Sequence, residues 1–295
     1  MRQPLRKELE PVAASFLVKQ LVEPHFDPNW HFHPHYQLFL VQEGTGTRFI
    51  GDSISAFGPG DLVFLGPNLP HLWRSDQPYF NRDEGLSTSG IVVYFPEDFL
   101  GTCFFDKQEM GLIRQLMTNA RHGLTWQGAT HERATTLLSE LAAQPVGFGR
   151  VLTLLTLLHD LSLSAEFKLL ASTPYVDSMK TDESDRTIYH RMQVVHDYVL
   201  NHFPEELSLE TVADLAGMTA PAFCRYFKAR ANKTFSEFVS EVRIGHACKL
   251  LTNTQLSITQ ISYESGFRTL SNFNRQFKDI TGQTPSGYVK TYRRL

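Results

Sequence analysis

One six-residue pattern, Phe-x-Arg-x-Phe-Lys, constrains the fold of this chain more than any other feature, because it occurs twice, at residues 223–228 and 273–278. In a helix its phenylalanines share one face, and the arginine and lysine lie off that face. Each copy follows a glycine, Gly217 or Gly266, that can turn the chain between two helices. A short helix, a tight turn and a second helix make a helix-turn-helix, so the sequence predicts two such motifs in tandem.

Residues that can cap helices mark where the helices of both motifs begin. Ser208 precedes the short helix of the first motif, and Thr219 precedes its second helix. In the second motif Ser257 opens a Ser-x-x-Gln capping box, and Thr269 precedes the second helix. Apolar residues at helical spacing between the motifs, over residues 235–251, predict one long helix that holds both. The two recognition helices would then enter major grooves on one side of a duplex, about 34 Å apart.

The outward positions of the two recognition helices carry the predicted DNA contacts. Arginine and asparagine can read guanine and adenine through paired hydrogen bonds, whereas lysine suits the phosphates. In the first motif Arg225 is the main candidate for a base contact, because its neighbours are alanine, proline and cysteine. We assign Lys228, Lys233 and Lys278 to the phosphate backbone. The candidates in the second motif are Arg268, Thr269, Ser271, Asn272, Asn274 and Arg275. The alternative is that these basic side chains only solvate a helix face.

Three segments in the last third of the chain match the pattern of a known family. They are Ile-Thr-Gln-Ile-Ser-Tyr-Glu-Ser-Gly-Phe at 258–267, the helix at 273–278, and Gly-Gln-Thr-Pro-Ser-Gly-Tyr at 282–288. Together they resemble the AraC/XylS family of bacterial regulators. The resemblance implies sequence-specific binding to double-stranded promoter DNA, with a small-molecule effector, a second copy of the chain and RNA polymerase as further partners. On this interpretation the chain is a regulator and not an enzyme.

Short strands are predicted over residues 26–95, where apolar runs alternate with glycine and proline turns. The strands are Tyr36–Gln42, Thr47–Ile50, Asp61–Leu65 and Gly90–Phe95. This spacing predicts a compact antiparallel sandwich or small barrel. Helices are predicted next, over Asp106–Ala120, Thr130–Ala142 and Phe148–Leu170. The last helix is expected to be buried on most sides, in a helical layer or a dimer contact, through Leu152, Leu155, Leu158 and Leu163.

A histidine pattern, His31-x-His33-x3-Gln37, leads into the first of these strands. With Gly-Pro-Gly-Asp at 58–61 and Pro-His at 70–71, it resembles a cupin double-stranded barrel of the kind that many AraC-type regulators carry. In metal-binding cupins the pattern is His-x-His-x3-Glu with a later histidine. The resemblance therefore aligns His31, His33, Gln37 and His71 with metal ligands. Gln37 lacks the charge that would help to hold a divalent cation.

Three interpretations of this pattern are open. The histidines can line an effector pocket by hydrogen bonding and stacking, which gives a candidate effector site of His31, His33, Gln37, His71 and Trp73. The same residues without Trp73 can hold a metal with an open position, in a metal sensor or a metal-dependent enzyme. Some histidines can simply be satisfied in core or loops, which is how we interpret His25 and His35. No cofactor is assigned.

Composition narrows the remaining possibilities. The 295 residues are 42% apolar, which is enough for more than one core. There is no run of about 18 apolar residues and no secretory leader, and the three cysteines are far apart, so we expect a cytoplasmic protein without a membrane span. The net charge of -3 conceals a basic C-terminal part, where residues 187–295 hold 13 Lys and Arg against 9 Asp and Glu. That balance suits a phosphate backbone.

The predicted fold class is α+β, in four segments. Residues 1–100 form the cupin-like barrel, residues 101–170 a helical layer that can mediate dimerisation, and residues 187–295 an all-α DNA-binding domain. Residues 171–186 are polar and contain Pro174, so they are predicted to be a linker.

Overall fold

Strands fill the first part of the chain and helices the last part, so the fold is α+β as predicted. The computed structural model describes residues 14–81, 84–172, 183–231 and 233–292. Two compact units divide the chain, with their boundary between residues 181 and 182. We call them the N-terminal and the C-terminal unit.

The N-terminal unit contains the strands and three helices of the described residues. Its strands are Leu17–Glu23 (β1), Tyr36–Glu43 (β2), Gly46–Ile50 (β3), Ser53–Phe57 (β4), Leu62–Leu65 (β5), His71–Ser75 (β6), Thr88–Phe95 (β7), Leu124–Trp126 (β8) and Phe167–Leu169 (β9). Its helices are Gly111–Asn119 (α1), Gly128–Ala143 (α2) and Phe148–Leu163 (α3). The strands form a six-stranded sheet in the order β1-β7-β2-β5-β8-β9 and a three-stranded sheet in the order β4-β3-β6.

Strand β2 shows how one stretch of sequence serves two apolar environments. Successive side chains of a strand point to opposite faces of the sheet. Leu38 and Leu40 pack in the cluster that includes α1, α2 and α3, whereas Phe39 and Val41 pack in the cluster that includes the smaller sheet. Because both faces are covered, the strand is almost continuously apolar instead of alternating. Gln37 has the parity of Phe39, so it lies on the face turned to the smaller sheet.

The four strands predicted from sequence are all present, and five further strands were missed. Strand β1 carries lysine, glutamine and glutamate between its apolar residues, and β6 carries a histidine and an arginine. Neither has the apolar run that marks a buried strand. Their pairing with β7 and β3, and not their own pattern, defines them as strands.

The structure corrects the predicted helix over residues 148–170. Helix α3 ends at Leu163, and β9 follows it and pairs antiparallel with β8. The side chains of Leu152 and Leu163 are 50% and 60% exposed, so the helix is amphipathic and not buried on most sides. Leucines spread over several sides of a helix give too little contrast to show which face is buried. Since β8 and β9 join the large sheet, residues 1–100 do not form that sheet alone.

The C-terminal unit is helical throughout its described residues. Its helices are Glu183–His202 (α4), Leu209–Leu215 (α5), Ala220–Ala231 (α6), Phe235–Asn253 (α7), Ile258–Glu264 (α8), Leu270–Thr281 (α9) and Pro285–Tyr292 (α10). The first helix-turn-helix motif is α5–α6 and the second is α8–α9, with α7 between them as predicted. Three predicted caps are confirmed: the side chains of Ser208, Ser257 and Thr269 accept hydrogen bonds from backbone N–H groups in the first turns of α5, α8 and α9.

The predicted linker, residues 171–186, is shorter in the structure. Ala171 is buried in the N-terminal unit, and the backbone N–H of Ser172 donates to Asp52 at 2.8 Å. Helix α4 already begins at Glu183, before the predicted start of the DNA-binding domain. Residues 173–182, with Pro174, lie outside the described residues, as does the side chain of Ile188.

A histidine in the core of the C-terminal unit makes its stability depend on pH. His196 of α4 is buried against Phe238 of α7, with ring centroids 4.7 Å apart. Burial lowers the pKa of His196 to about 3, and the positive charge of Lys233 acts in the same direction. Below pH 6.5 the unfolded chain therefore binds a proton that the folded chain does not.

We predict that the C-terminal unit loses stability as the pH falls below 6.5, by about 2 kcal/mol at pH 5. The protection of the amides in α4 and α7, taken relative to their intrinsic exchange rates at each pH, should decrease accordingly. His196→Leu should abolish this dependence, whereas His202→Gln, which removes a half-exposed imidazole from the same helix, should leave it intact. Equal acid sensitivity in His196→Leu and the wild type would contradict the prediction.

Candidate functional site

A pocket lies in the N-terminal unit, over the inner face of the large sheet. Its cavity, measured as the space open to the centres of water molecules, is about 50 Å³, enough for a few waters. The walls are mainly aromatic and aliphatic, from Leu21, Phe26, Phe39, Val92 and Tyr94. The polar groups come from Asp27, His31, Gln37, His71 and Trp73. Four of the five predicted effector residues thus line one pocket.

The three predicted histidines lie together. A backbone bridge pairs His31 with His71, whose N–H and carbonyl groups exchange hydrogen bonds of 3.2 and 2.9 Å. The ring centroids of these two residues are 4.5 Å apart, and the ring of His33 is 5.0 Å from that of His71. One ring nitrogen from each histidine lies within 4.8 Å of the other two. His33 does not line the cavity but stands behind Gln37.

Backbone carbonyl groups fix the orientation of each imidazole. The Nδ1 atoms of His31 and His71 lie 2.7 Å from the carbonyl oxygens of Asn29 and Leu69. The Nδ1 atom of His33 lies 3.0 Å from that of His35. A carbonyl oxygen only accepts, so each Nδ1 carries a hydrogen. In the neutral form of each ring, Nε2 is then the nitrogen that can accept a hydrogen bond or bind a metal.

Gln37 is held by His33. Burial lowers the pKa of His33 to about 4, and a neutral imidazole cannot donate from both ring nitrogens. Since Nδ1 donates to the carbonyl of His35, Nε2 of His33 must accept. Oε1 of the Gln37 amide lies 2.8 Å from this Nε2. A neutral His33 therefore requires the amide turned by 180°, so that its NH2 group donates to Nε2.

A buried ion pair stands beside the pocket. Nη1 of Arg48 lies 2.6 and 2.7 Å from the two carboxylate oxygens of Asp61. Burial raises the pKa of the Asp61 carboxyl, and the charge of Arg48 opposes that rise. Arg48 is the cross-strand partner of Trp73 in the smaller sheet. The pair therefore ties the turn before β5 to the strands that carry the pocket's indole.

Sequence reasoning missed the pocket's phenol and this ion pair. Tyr94 lies opposite Gln37 in the pairing of β2 with β7, and its ring centroid is 5.1 Å from that of His33. Burial raises the pKa of Tyr94, so its hydroxyl keeps its proton. The parity of Tyr94 with Val92 on an otherwise apolar strand was the signal that could have identified it.

Nine of the ten predicted DNA contacts are exposed in the C-terminal unit: Arg225, Lys228, Arg268, Thr269, Ser271, Asn272, Asn274, Arg275 and Lys278. Several already have partners. Arg275 donates from Nη2 to the amide oxygen of Asn272 at 3.0 Å, and its Nη1 lies 3.8 Å from the carboxylate of Asp279. The hydroxyl oxygen of Thr269 accepts the hydrogen bond that caps α9, and Arg268 forms an ion pair with Glu206.

The structure corrects the predicted role of Lys233. We assigned it to the phosphate backbone, but its Nζ lies 2.8 and 2.7 Å from the two carboxylate oxygens of Glu241 in α7. Its side chain is only 14% exposed. A lysine in an internal ion pair of this kind stabilises the turn between α6 and α7 and is not available to a phosphate. The pattern of basic residues alone does not distinguish such a lysine from an exposed one.

Two family models match the chain, one in each unit. An AraC-like ligand binding domain covers residues 21–100, and a helix-turn-helix domain covers residues 212–291. Among curated relatives, the regulator YdeC of Bacillus subtilis is 28% identical over 88% of this chain and 85% of its own length. The regulator YfiF of the same organism is 26% identical over 91% and 81%. The chain thus carries the two domains of an AraC-type transcription regulator, a ligand-binding domain and a helix-turn-helix domain.

Solved structures that resemble this AraC-type regulator include the DNA-binding domain of AdpA in complex with a target DNA. It is 26% identical over 34% of this chain and 90% of that chain, with a TM-score of 0.33. ToxT from Vibrio cholerae, solved with an unsaturated fatty acid bound, is 15% identical over 98% and 99%, with a TM-score of 0.36. Neither superposition is close enough to assign residues.

The family models identify what each unit of the AraC-type regulator is. The pocket lies in its cupin-like ligand-binding domain, and α5–α9 lie in its DNA-binding domain. Strands β8 and β9 and the whole of α4 fall outside the matched ranges. No helix among the described residues is long and apolar enough to cross a membrane.

We predict that Arg275→Ala will relax specificity at one base position by about 1–3 kcal/mol. Lys278→Ala should instead weaken binding to all sequences alike and reduce the salt slope by about one. Competition binding with each base substituted in turn, at several salt concentrations, measures both effects. Equal losses of Arg275→Ala on every sequence would make Arg275 a phosphate contact.

Proposed function

We propose that this regulator binds promoter DNA through α6 and α9, which enter successive major grooves, and that a ligand in the barrel pocket changes this binding. The observation that supports DNA binding by both helices is that α6 and α9 share one pattern of buried and exposed residues. In each, two phenylalanines are fully buried and the polar residues between them are exposed. Each helix is thus anchored on one side and offers the other side to a duplex.

The two helices differ in the number of side chains that can contact base edges. Helix α9 offers two asparagines, a serine and Arg275 on its exposed side, which are groups that pair with base edges. Helix α6 begins with Ala-Pro-Ala and offers Arg225 and Lys228. Most sequence information should therefore come from the half-site that α9 contacts.

The pocket supports the second half of the proposal. It combines apolar walls with a few converging polar groups, which is the usual composition of a small-molecule site. We assign it a sensing and not a catalytic role, with His31, Gln37, His71 and Trp73 contacting the effector. A ligand acts on promoter binding only if it has different affinities for two states of the protein.

The proposal includes a second copy of the chain, which would contact the helical layer of the first. Val146, Phe148 and Leu152, at and before the start of α3, are 77%, 74% and 50% exposed. Apolar side chains so exposed on neighbouring turns are typical of an interface. RNA polymerase as a partner and a cytoplasmic location complete the proposal.

The experiment for DNA binding is selection of duplexes from a random library with the full chain. We expect an enriched site with two parts whose centres lie about 10 base pairs apart, one helical turn. Failure to enrich any sequence would overturn DNA reading, and a site with a single part would overturn the use of both helices.

One observation favours a metal ion as the ligand of the pocket. One ring nitrogen from each of His31, His33 and His71 lies within 4.8 Å of the other two, and each Nδ1 lies beside a carbonyl group, an arrangement typical of metal-binding histidines. Rotation of the Gln37 amide would add an oxygen ligand. Such a site is neutral, so it suits Zn²⁺, Ni²⁺ or Co²⁺ and leaves the charge of the ion to an anionic ligand from solvent.

We predict that Co²⁺ added to the full chain will give the visible absorption of a bound ion. His33→Ala should weaken its binding by at least the roughly 10–100-fold that loss of a ligand's hydrogen-bond partner costs. Gln37→Glu should strengthen it, because a carboxylate supplies the missing negative charge. His159→Ala removes an exposed histidine of α3 and should change nothing. Absorption that persists in His33→Ala would place the ion elsewhere and leave the pocket to an organic effector.

A further inference from the structure

The segment that leads into the first helix-turn-helix motif touches the second motif at a place that includes neither recognition helix. On one side is the turn after α4, residues 203–206, which leads into the first motif. On the other side is the turn between α8 and α9, residues 266–268, inside the second motif. Arg243, near the middle of α7, lies between them. We call this place the inter-motif contact.

Arg243 binds both sides of the inter-motif contact. Its Nε donates to the carbonyl oxygen of Phe203 at 2.8 Å, and its Nη2 donates to that of Glu205 at 2.7 Å. The guanidinium carbon lies 5.9 Å from the ring centroid of Phe267 in the second motif. Only a planar group with several donors can satisfy two carbonyls and face a ring at once, so lysine would not replace it.

Gly266 shows how closely the two backbones approach. Its φ of +82° is one that side chains rarely permit. A Cβ there would lie 2.6 Å from the carbonyl oxygen of Phe203 and 2.8 Å from Cα of Pro204. The turn of the second motif therefore packs directly on the backbone that enters the first motif.

A third link is an ion pair between Glu206 and Arg268, whose side chains are 73% and 74% exposed. An exposed pair contributes little stability. It does, however, join the same two turns as Arg243 and Gly266. Three different interactions thus connect the motifs away from the DNA-facing helices.

We propose that Arg243 is a positioning residue that sets the separation and relative orientation of α6 and α9, and with them the half-site spacing that the regulator accepts. Helix α7 packs on the second motif through Ile244, Ala247 and Leu251, and on α6 through Phe238. The inter-motif contact adds a direct link between the segment that enters the first motif and the turn of the second. This inference rests on the proposed use of both recognition helices.

The test uses the duplex selected with the wild-type chain, and versions in which the two half-sites are moved together or apart by one or two base pairs. One base pair shifts a half-site by about 3.4 Å and about 35°. The wild type should lose at least about tenfold in affinity per base pair, comparable to a mismatched base pair. Arg243→Lys keeps the charge, and should bind the selected duplex more weakly yet lose less than threefold when the spacing changes.

Two controls separate positioning from folding. Val212→Ala removes buried methyl groups from α5, away from the inter-motif contact, and should lower thermal stability while leaving the spacing profile as steep as in the wild type. Glu206→Gln changes an exposed side chain and should flatten the profile in the same direction as Arg243→Lys, to a smaller extent. If Arg243→Lys does not fold, Glu206→Gln decides alone.

The outcomes distinguish this inference from the proposed function. A wild-type chain that selects no two-part site overturns the proposed function. A wild-type chain that selects one, with spacing profiles equally steep in both variants, overturns the role of Arg243.

Discussion

Burial of two phenylalanine pairs is the constraint on which the C-terminal unit depends. Phe223 and Phe227 in α6 pack against aromatic rings of α7, and Phe273 and Phe277 in α9 pack against Phe267 and Tyr288. Each such ring removed from water stabilises the fold by about 1.5–3 kcal/mol. Because phenylalanines four residues apart define one face, the same burial decides which side chains are left outside. The buried phenylalanine face and the exposed DNA-facing surface of each helix therefore follow from the same spacing of phenylalanines.

That coupling explains why the DNA-binding domain was predictable from sequence and the details of the barrel were not. The helical repeat, its turns and its caps are local, and every link is readable within a dozen residues. The missed strands β1 and β6 depend on partners far away in sequence, since β1 pairs with residues 88–94 and β6 with residues 46–50. The prediction for Lys233 was wrong for the same reason, because its role is decided by its ion pair with Glu241 and not by the residues next to it in sequence. The leucines of α3 lie on several sides of the helix, so the sequence did not show which side is buried.

The candidate site in the barrel was predicted in its residues but not in its chemistry. Sequence placed His31, Gln37, His71 and Trp73 together, and the structure brings these side chains to one pocket. The orientation of each imidazole is set instead by a backbone carbonyl group beside its Nδ1, which no sequence pattern predicts. The pocket also contains Asp27, so its acceptor groups favour a cation, or an organic ligand that donates hydrogen bonds, over a simple anion.

The inter-motif contact gives the duplication a further consequence. Two motifs on one chain already make the second insertion intramolecular, so a flexible pair would gain affinity over a range of half-site spacings. A contact that fixes their geometry confines that gain to DNA with the matching spacing. The same rigidity penalises every other spacing, so selectivity arises at base pairs that no side chain touches. On this view Arg243 and Gly266 contribute to recognition alongside the proposed base contact of Arg275, although neither lies on a recognition helix.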